Sequence, residues 1–153
     1  SGAPYEWVDC SWLSMISSHP DIELHLAGSG RGNDYQKLRQ LPQVIDHGQL
    51  DQAALAALLA KCDVGLVPFK NLDLIKGVDP VKVYEYAASG LEVWAPPLDS
   101  LRKNGLISRV VANRHDLEQA LKRIAVTKNN QPVARWTERL QTILDRMGRL
   151  QSD

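Results

Sequence analysis

The residues best placed to do chemistry follow Asp79-Pro80, near the middle of the chain. An Asp N-cap accepts a backbone N–H and a Pro fits the first turn, so this pair predicts the start of a helix. The helix would carry Lys82 in its first turn and Glu85 one turn later, and would end at Gly90. An ammonium beside the partly positive helix N-terminus suits a diphosphate, and a carboxylate suits ribose hydroxyls.

The same residues are also typical of an ordinary surface helix. A Lys–Glu pair three residues apart stabilises such a helix by roughly a few tenths of a kcal/mol and implies no ligand. Periodicity alone favours this second interpretation, because many helices use these residues. The choice between the two therefore depends on the elements around the helix.

Short apolar runs typical of strands alternate with helical segments along the whole chain. The predicted strands are residues 22–27, 44–48, 63–69, 91–95 and 109–113. The predicted helices are residues 9–18, 33–41, 51–62, 79–90, 115–126 and 133–150. This alternation with short linkers predicts an α/β fold with a doubly wound parallel sheet, in one domain over residues 1–153.

Ligands of such sheets bind beyond the carboxyl ends of the strands. Four loops are expected there: residues 28–33, 48–51, 68–80 and 96–101. The first contains GSGRGN, which lacks the spacing of a dinucleotide or phosphate-loop fingerprint and predicts a flexible connection; a phosphate contact from Arg31 stays an alternative.

The balance of charge excludes one class of partner. Eighteen Lys and Arg residues match eighteen Asp and Glu residues, so no global field attracts nucleic acid. Hydrophobic residues make up 44% of the 153 positions, as in a globular domain. No apolar run reaches the roughly 18 residues that a membrane-spanning helix needs. The opening SGAPYEWVD is loop-like and lacks a start Met, which suggests a fragment of a longer protein.

Cysteine and histidine positions bear on compartment and cofactors. Cys10 and Cys62 lie far apart, and we expect partly buried, reduced thiols and a cytoplasmic location. No His, Cys, Asp and Glu spacing is typical of a metal site, so no metal or other cofactor is expected. His25, on a predicted strand, is more typical of packing than of ligand binding, whereas for His47, beside a predicted ligand loop, both interpretations stay open.

Residues 62–95, with CDVGLVPF and VDPVKVYEYAASGLEVWA, resemble the donor-site segment of GT-B fold glycosyltransferases. The flanking HPDIELHLAGSG, VIDHGQLDQAALAALLAKCD and PVARWTERLQTIL are more weakly similar, so the resemblance covers nearly the whole chain. It extends to group 1 glycosyltransferases and to bacterial exopolysaccharide glucuronosyltransferases. It implies a Rossmann-like C-terminal half of a GT-B fold, closed by a helix over residues 130–150.

The resemblance also implies roles for individual residues. Lys82 corresponds to the lysine that meets the donor diphosphate, and Glu85 to the glutamate that holds the ribose. His47, Gly48 and Gln49 fall where the family holds the nucleobase. The further donor-site residues are the cleft glycines and the backbone facing the phosphates, namely Gly28, Gly30, Val78, Asp79, Pro80 and Val81.

Three departures from the family pattern narrow these expectations. Gly77 stands where retaining enzymes place the glutamate that contacts the donor sugar, so the stereochemistry and the sugar stay open. Glu92 stands where the family commonly has Pro, and the opening segment lacks the family's basic pair. The family's central first strand is missing here or cut to residues 1–3.

The resemblance implies transfer from a nucleotide-activated sugar, with a UDP-sugar favoured, to a glycan or lipid-linked acceptor in bacterial polysaccharide biosynthesis. An N-terminal domain, absent here, would supply the acceptor site, and the whole enzyme could associate peripherally with a membrane. By itself the chain is expected to bind nucleotide weakly and to catalyse nothing. The alternative is a degenerate, non-catalytic module that binds nucleotide or a protein, which Gly77 supports. An epimerase or a receiver domain is disfavoured because their motifs are not seen.

Overall fold

A computed structural model describes residues 7–72, 81–102 and 105–130. Val78, Asp79, Pro80 and the helix predicted over residues 133–150 lie outside this part, so the expectations for them stay predictions. The described elements, in chain order, are α1 (Cys10–Ser17), β1 (Leu24–Leu26), α2 (Asn33–Arg39), β2 (Val44–Asp46), α3 (Gln52–Lys61), β3 (Val64–Leu66), α4 (Val81–Ala88), β4 (Glu92–Ala95), α5 (Asp99–Arg102), β5 (Arg109–Val110) and α6 (Arg114–Asn130).

Two helices begin where side-chain capping predicts. The carboxylate of Asp9 accepts a hydrogen bond from the backbone N–H of Trp12 at 2.9 Å, and α1 follows. The carboxylate of Asp51 accepts one from Ala54 at 2.7 Å, and α3 follows. Each cap satisfies one of the free amides of a first helical turn. The predicted alternation of strands and helices is confirmed within the described residues.

The strands form two parallel sheets. Strand β1 pairs with β2, and His25 lies opposite Ile45 in the register. Strand β4 lies between β3 and β5 and is parallel to both. Parallel pairing is thus confirmed, and the mixed α/β architecture is compatible with a Rossmann-like fold.

A single continuous sheet is not formed by the described residues. Strand β1 has only β2 as a neighbour there, and β3 has only β4. The division falls between β1 and β3, where a central strand would have to pair with both. The strand that the resemblance implies near residues 1–3 lies outside the described part, so this expectation stays a prediction.

One hydrophobic core nevertheless joins the two sheets. Helix α1 contributes Trp12, Leu13 and Ile16 to a cluster that also contains Leu24 of β1 and Trp94 of β4. Strand β3 packs partly against the same cluster. The indole N–H of Trp12 donates a 2.8 Å hydrogen bond to the backbone oxygen of Val111, so this buried polar group is satisfied.

The tryptophan and cysteine side chains differ in how deeply they are buried. Trp12 and Trp94 are buried, whereas the exposed fraction of Trp7 is 41%. Trp7 precedes α1 and is next in sequence to Val8, which forms an isolated antiparallel bridge with Phe69. Cys10 and Cys62 are partly buried and form no disulfide, as predicted.

A second core fixes helix α4 against the larger sheet. Val83 is fully buried in a cluster with Val93 and Ala95 of β4. The ring of Tyr86 fills the space where a side chain at Gly65 would lie, and burial, with smaller effects of Glu85 and Cys62, raises the pKa of its phenol to about 12. The face of α4 that carries Val83 and Tyr86 therefore packs against strands β3 and β4.

The end of α4 is defined by a Schellman motif. Gly90 has a φ of 75°, a conformation that glycine adopts without steric cost. The backbone N–H of Leu91 donates to the oxygen of Tyr86 at 3.1 Å, and that of Gly90 donates to Ala87 at 3.0 Å. The predicted helix end at Gly90 is confirmed. Within the described residues, no helix is both long and apolar enough to cross a bilayer.

Candidate functional site

The first part of the candidate site is the N-terminus of α4. Because β3 and β4 are parallel and α4 connects them, the helix begins at the end of the sheet where β3 finishes. Val81 is its first residue and Lys82 its second. The backbone N–H groups of a first helical turn have no partner within the helix, and the helix dipole is positive there. This end of α4 can therefore bind an anion.

Lys82 and Glu85 form an ion pair on the surface of α4. The ammonium nitrogen of Lys82 lies 2.8 Å from Oε2 of Glu85, and the side chains are 56% and 24% exposed. This is the pair that the surface-helix interpretation predicts. Such pairs contribute on the order of 0.5 kcal/mol, so a diphosphate could take the ammonium from the carboxylate at small cost.

The second part of the candidate site lies where β1 and β2 end. The N–H of Gly28 donates to the backbone oxygen of Gly48 at 2.7 Å. The N–H of Gly48 donates to Oδ1 of Asp46 at 2.9 Å, and Nε of Arg39 lies 2.8 Å from Oδ2 of Asp46. Two amides expected near a ligand are thus already bonded within the protein. We call this hydrogen-bonded network the β2 turn; its members are Gly28, Arg39, Asp46 and Gly48.

The histidines beside the β2 turn form a hydrogen-bonded chain. Nδ1 of His25 lies 2.8 Å from Nε2 of His47, and Nε2 of His25 lies 2.7 Å from Oε1 of Glu23. The two ring centroids are 5.1 Å apart and the planes differ by 18°. The two nitrogen atoms are close although the ring centroids are far apart, and the ring planes are nearly parallel. The rings therefore meet edge to edge, as in a hydrogen bond, rather than face to face.

The glycine loop after β1 is filled from inside the protein. The ring of Tyr35, on α2, occupies the space where a side chain at Gly30 would lie. Tyr35 itself is buried. The need for glycine at position 30 is thus explained by packing. Gln49, which follows Gly48, is exposed.

The structure gathers the predicted residues into two groups. Gly28, His47 and Gly48 share the hydrogen bonds around the β2 turn, and Lys82 and Glu85 share α4. Sequence reasoning missed the supporting residues Arg39, Asp46 and Glu23. The Asp-x-Gly spacing at residues 46–48 is a turn signal that would have indicated Asp46. Within the described ranges, no group of three or more His, Cys, Asp or Glu side chains is arranged to hold a metal ion.

Comparison with known proteins finds one relationship that bears on function. The chain is 32% identical over 69 residues to the Bacillus subtilis (strain 168) protein named "Putative teichuronic acid biosynthesis glycosyltransferase TuaH". The match covers 45% of this chain and 17% of TuaH, so the chain spans less than a fifth of that relative. No known family model matches the chain. The match supports a relationship to glycosyltransferases.

Proposed function

We propose that this chain is the donor-binding part of a glycosyltransferase and that it binds a nucleoside diphosphate sugar, with a UDP-sugar favoured. The N-terminus of α4 and Lys82 would neutralise the diphosphate, and Glu85 would accept hydrogen bonds from the ribose. The turn at His47, Gly48 and Gln49 would face the base. Transfer to an acceptor, by analogy a glycan or lipid-linked acceptor of polysaccharide synthesis, would need a second domain.

The observation that carries this proposal is the position of Lys82. It is the second residue of a helix that begins at the carboxyl end of β3, and its side chain is mostly exposed. A cation beside a helix N-terminus at this end of a parallel sheet is what an anionic leaving group needs. The relationship to TuaH makes a nucleotide sugar the most economical choice of anion.

Calorimetric titration of UDP, GDP and ADP into the 153-residue chain tests the proposal. We expect UDP to bind, and Lys82→Ala to weaken that binding about tenfold, because a hydrogen-bonded charge pair is removed. Lys61→Ala is the matched control, since Lys61 lies in the last turn of α3, ahead of β3, and removes the same charge elsewhere. Binding that Lys82→Ala leaves unchanged would contradict the proposal.

A non-catalytic nucleotide-binding module is the second candidate, and Gly77 is the observation that favours it. Both candidates predict nucleotide binding. They differ in the parent protein: with its remaining domains present, a transferase consumes the sugar nucleotide in the presence of acceptor, and a module releases it unchanged. Chromatographic measurement of free UDP distinguishes the two.

A further inference from the structure

When both imidazole rings are neutral, the contacts among Glu23, His25 and His47 fix which nitrogen atoms carry hydrogen. An ionised carboxylate only accepts hydrogen bonds, so the 2.7 Å contact with Glu23 requires that Nε2 of His25 be the donor. A neutral imidazole has one donor and one acceptor nitrogen. Nδ1 of neutral His25 is then an acceptor, and it lies 2.8 Å from Nε2 of His47.

The same reasoning extends to the outer side of His47. Nε2 of His47 must donate to His25, so Nδ1 of neutral His47 must be an acceptor. In the described part of the chain, this Nδ1 has no hydrogen-bond partner. The backbone on which the ring is carried is fixed, because the N–H of His47 donates to the backbone oxygen of Leu26 at 2.9 Å and the N–H of Gly48 donates to Asp46.

We propose that Glu23 and His25 position His47 as a hydrogen-bond acceptor that selects a pyrimidine base carrying hydrogen on ring nitrogen N3, such as uracil. This inference rests on the proposed function, because it assigns the base of the same ligand. Uracil and cytosine have the same ring size, but uracil carries hydrogen on N3 where cytosine carries a lone pair. An acceptor on His47 that faces N3 of the base attracts uracil and repels cytosine.

The tautomer is measured without any ligand. A proton–nitrogen correlation spectrum of the imidazoles, in buffer alkaline enough for neutral rings, identifies the protonated nitrogen of each histidine. We expect His47 and His25 both to be protonated at Nε2. A His47 protonated at Nδ1 would overturn the proposal.

Substitution of Glu23 tests whether the carboxylate sets the tautomer. The Glu23 side chain is 65% exposed, so Glu23→Leu is expected to fold. We expect His25 and His47 to become mixtures of tautomers in this variant. Asp21→Leu, which removes an 83% exposed carboxylate two residues earlier, is the control and leaves the spectrum of His47 unchanged. An unchanged His47 spectrum in Glu23→Leu overturns the role of Glu23.

Base selection is tested by comparing UDP with CDP. We expect the wild-type chain to bind UDP about tenfold more tightly than CDP, since one hydrogen bond is exchanged for a repulsive contact. His47→Phe keeps a ring and removes the acceptor, so the preference should fall to less than about twofold. Equal binding of UDP and CDP by the wild type contradicts the selection. Failure to bind either nucleotide contradicts the proposed function, while the spectrum still decides the tautomer.

Discussion

The two halves of the candidate site differ in how their polar groups are used. Around the β2 turn, the amides of Gly28 and Gly48 and both carboxylate oxygens of Asp46 are bonded within the protein. At the start of α4, Lys82 has one exposed ion pair. The polar groups of the first region therefore stabilise the backbone of the turn. The ammonium of Lys82, in the second region, can exchange the carboxylate of Glu85 for an anionic ligand. Substitutions in the β2 turn network should therefore affect mainly stability, and substitution of Lys82 mainly ligand binding.

A third polar cluster shows what a structural ion pair looks like in this fold. Glu92, at the start of β4, accepts hydrogen bonds from Nε of Arg109 at 2.9 Å, from NH2 of Arg109 at 3.2 Å and from the indole N–H of Trp94 at 2.9 Å. Partial burial by itself would raise the pKa of Glu92, but the bonds from Arg109 and Trp94 together outweigh it and hold the pKa below its ordinary value. These hydrogen bonds give Glu92 a structural role at the position where the resemblance predicts proline.

The largest effect on stability is expected from Asp46→Ala. This change leaves the N–H of Gly48 and the guanidinium of Arg39 without their carboxylate, and the Asp46 side chain is only 14% exposed. We expect a loss of about 2 to 3 kcal/mol in the free energy of unfolding, measured with urea. Asp21→Ala, at an 83% exposed carboxylate, should cost less than about 0.5 kcal/mol. Equal losses in both variants would remove the distinction between the two regions.

Gly30→Ala is expected to have the next largest effect. Its methyl group would collide with the Tyr35 ring, and the buried ring has little room to move. Overpacking of this kind costs about 1 to 2 kcal/mol, measurable as a lower Tm. Gly105→Ala is the control, because the space around Gly105 is open. An undiminished Tm in Gly30→Ala would show that glycine is needed there for another reason.

Glu92→Gln should cost about 1 kcal/mol at neutral pH, and the cost should depend on pH. Since the pKa of Glu92 is lower in the folded state than its ordinary value of 4.5, its charge stabilises the fold above that pH. The stabilisation is lost as the pH falls through the folded pKa, so wild type and variant should converge in acid. Urea unfolding over a pH series measures this. Glu118→Gln, at an exposed position on α6, should show no such convergence.

The smallest effect on stability is expected from Lys82→Ala. Loss of an exposed pair three residues apart should change the free energy of unfolding by less than about 0.5 kcal/mol. Urea unfolding of this variant beside Glu85→Gln measures it. A loss above about 1 kcal/mol would mean that the pair, like Glu92 with Arg109, is structural.

Local rules predicted most elements of this fold. Asp9 and Asp51 mark helix starts and Gly90 marks a helix end, because capping depends on residues close in sequence. The four-residue α5 (Asp99–Arg102) was missed, since so short a helix leaves no periodic pattern. The division of the strands into two sheets depends on pairing between distant segments, which periodicity does not report.

The candidate site was predictable only in part, for a related reason. Lys82 and Glu85 lie on one helix, and their spacing alone places them together. The contact of His25 with His47 depends on the register of β1 against β2, in which His25 lies opposite Ile45. Side chains at residues 25, 45 and 47 then share one face of the sheet. Without the register, His25 had the pattern of an ordinary packing residue.

The most direct test of the central claim is a map of the backbone amides that respond to UDP. In a proton–nitrogen spectrum of the 153-residue chain, we expect the largest shifts at Val81, Lys82 and Val83, at the start of α4, with smaller shifts at Gln49. In Lys82→Ala these shifts should require about tenfold more UDP. Shifts confined to other parts of the chain, or a Lys82→Ala titration identical to the wild type, would contradict the account.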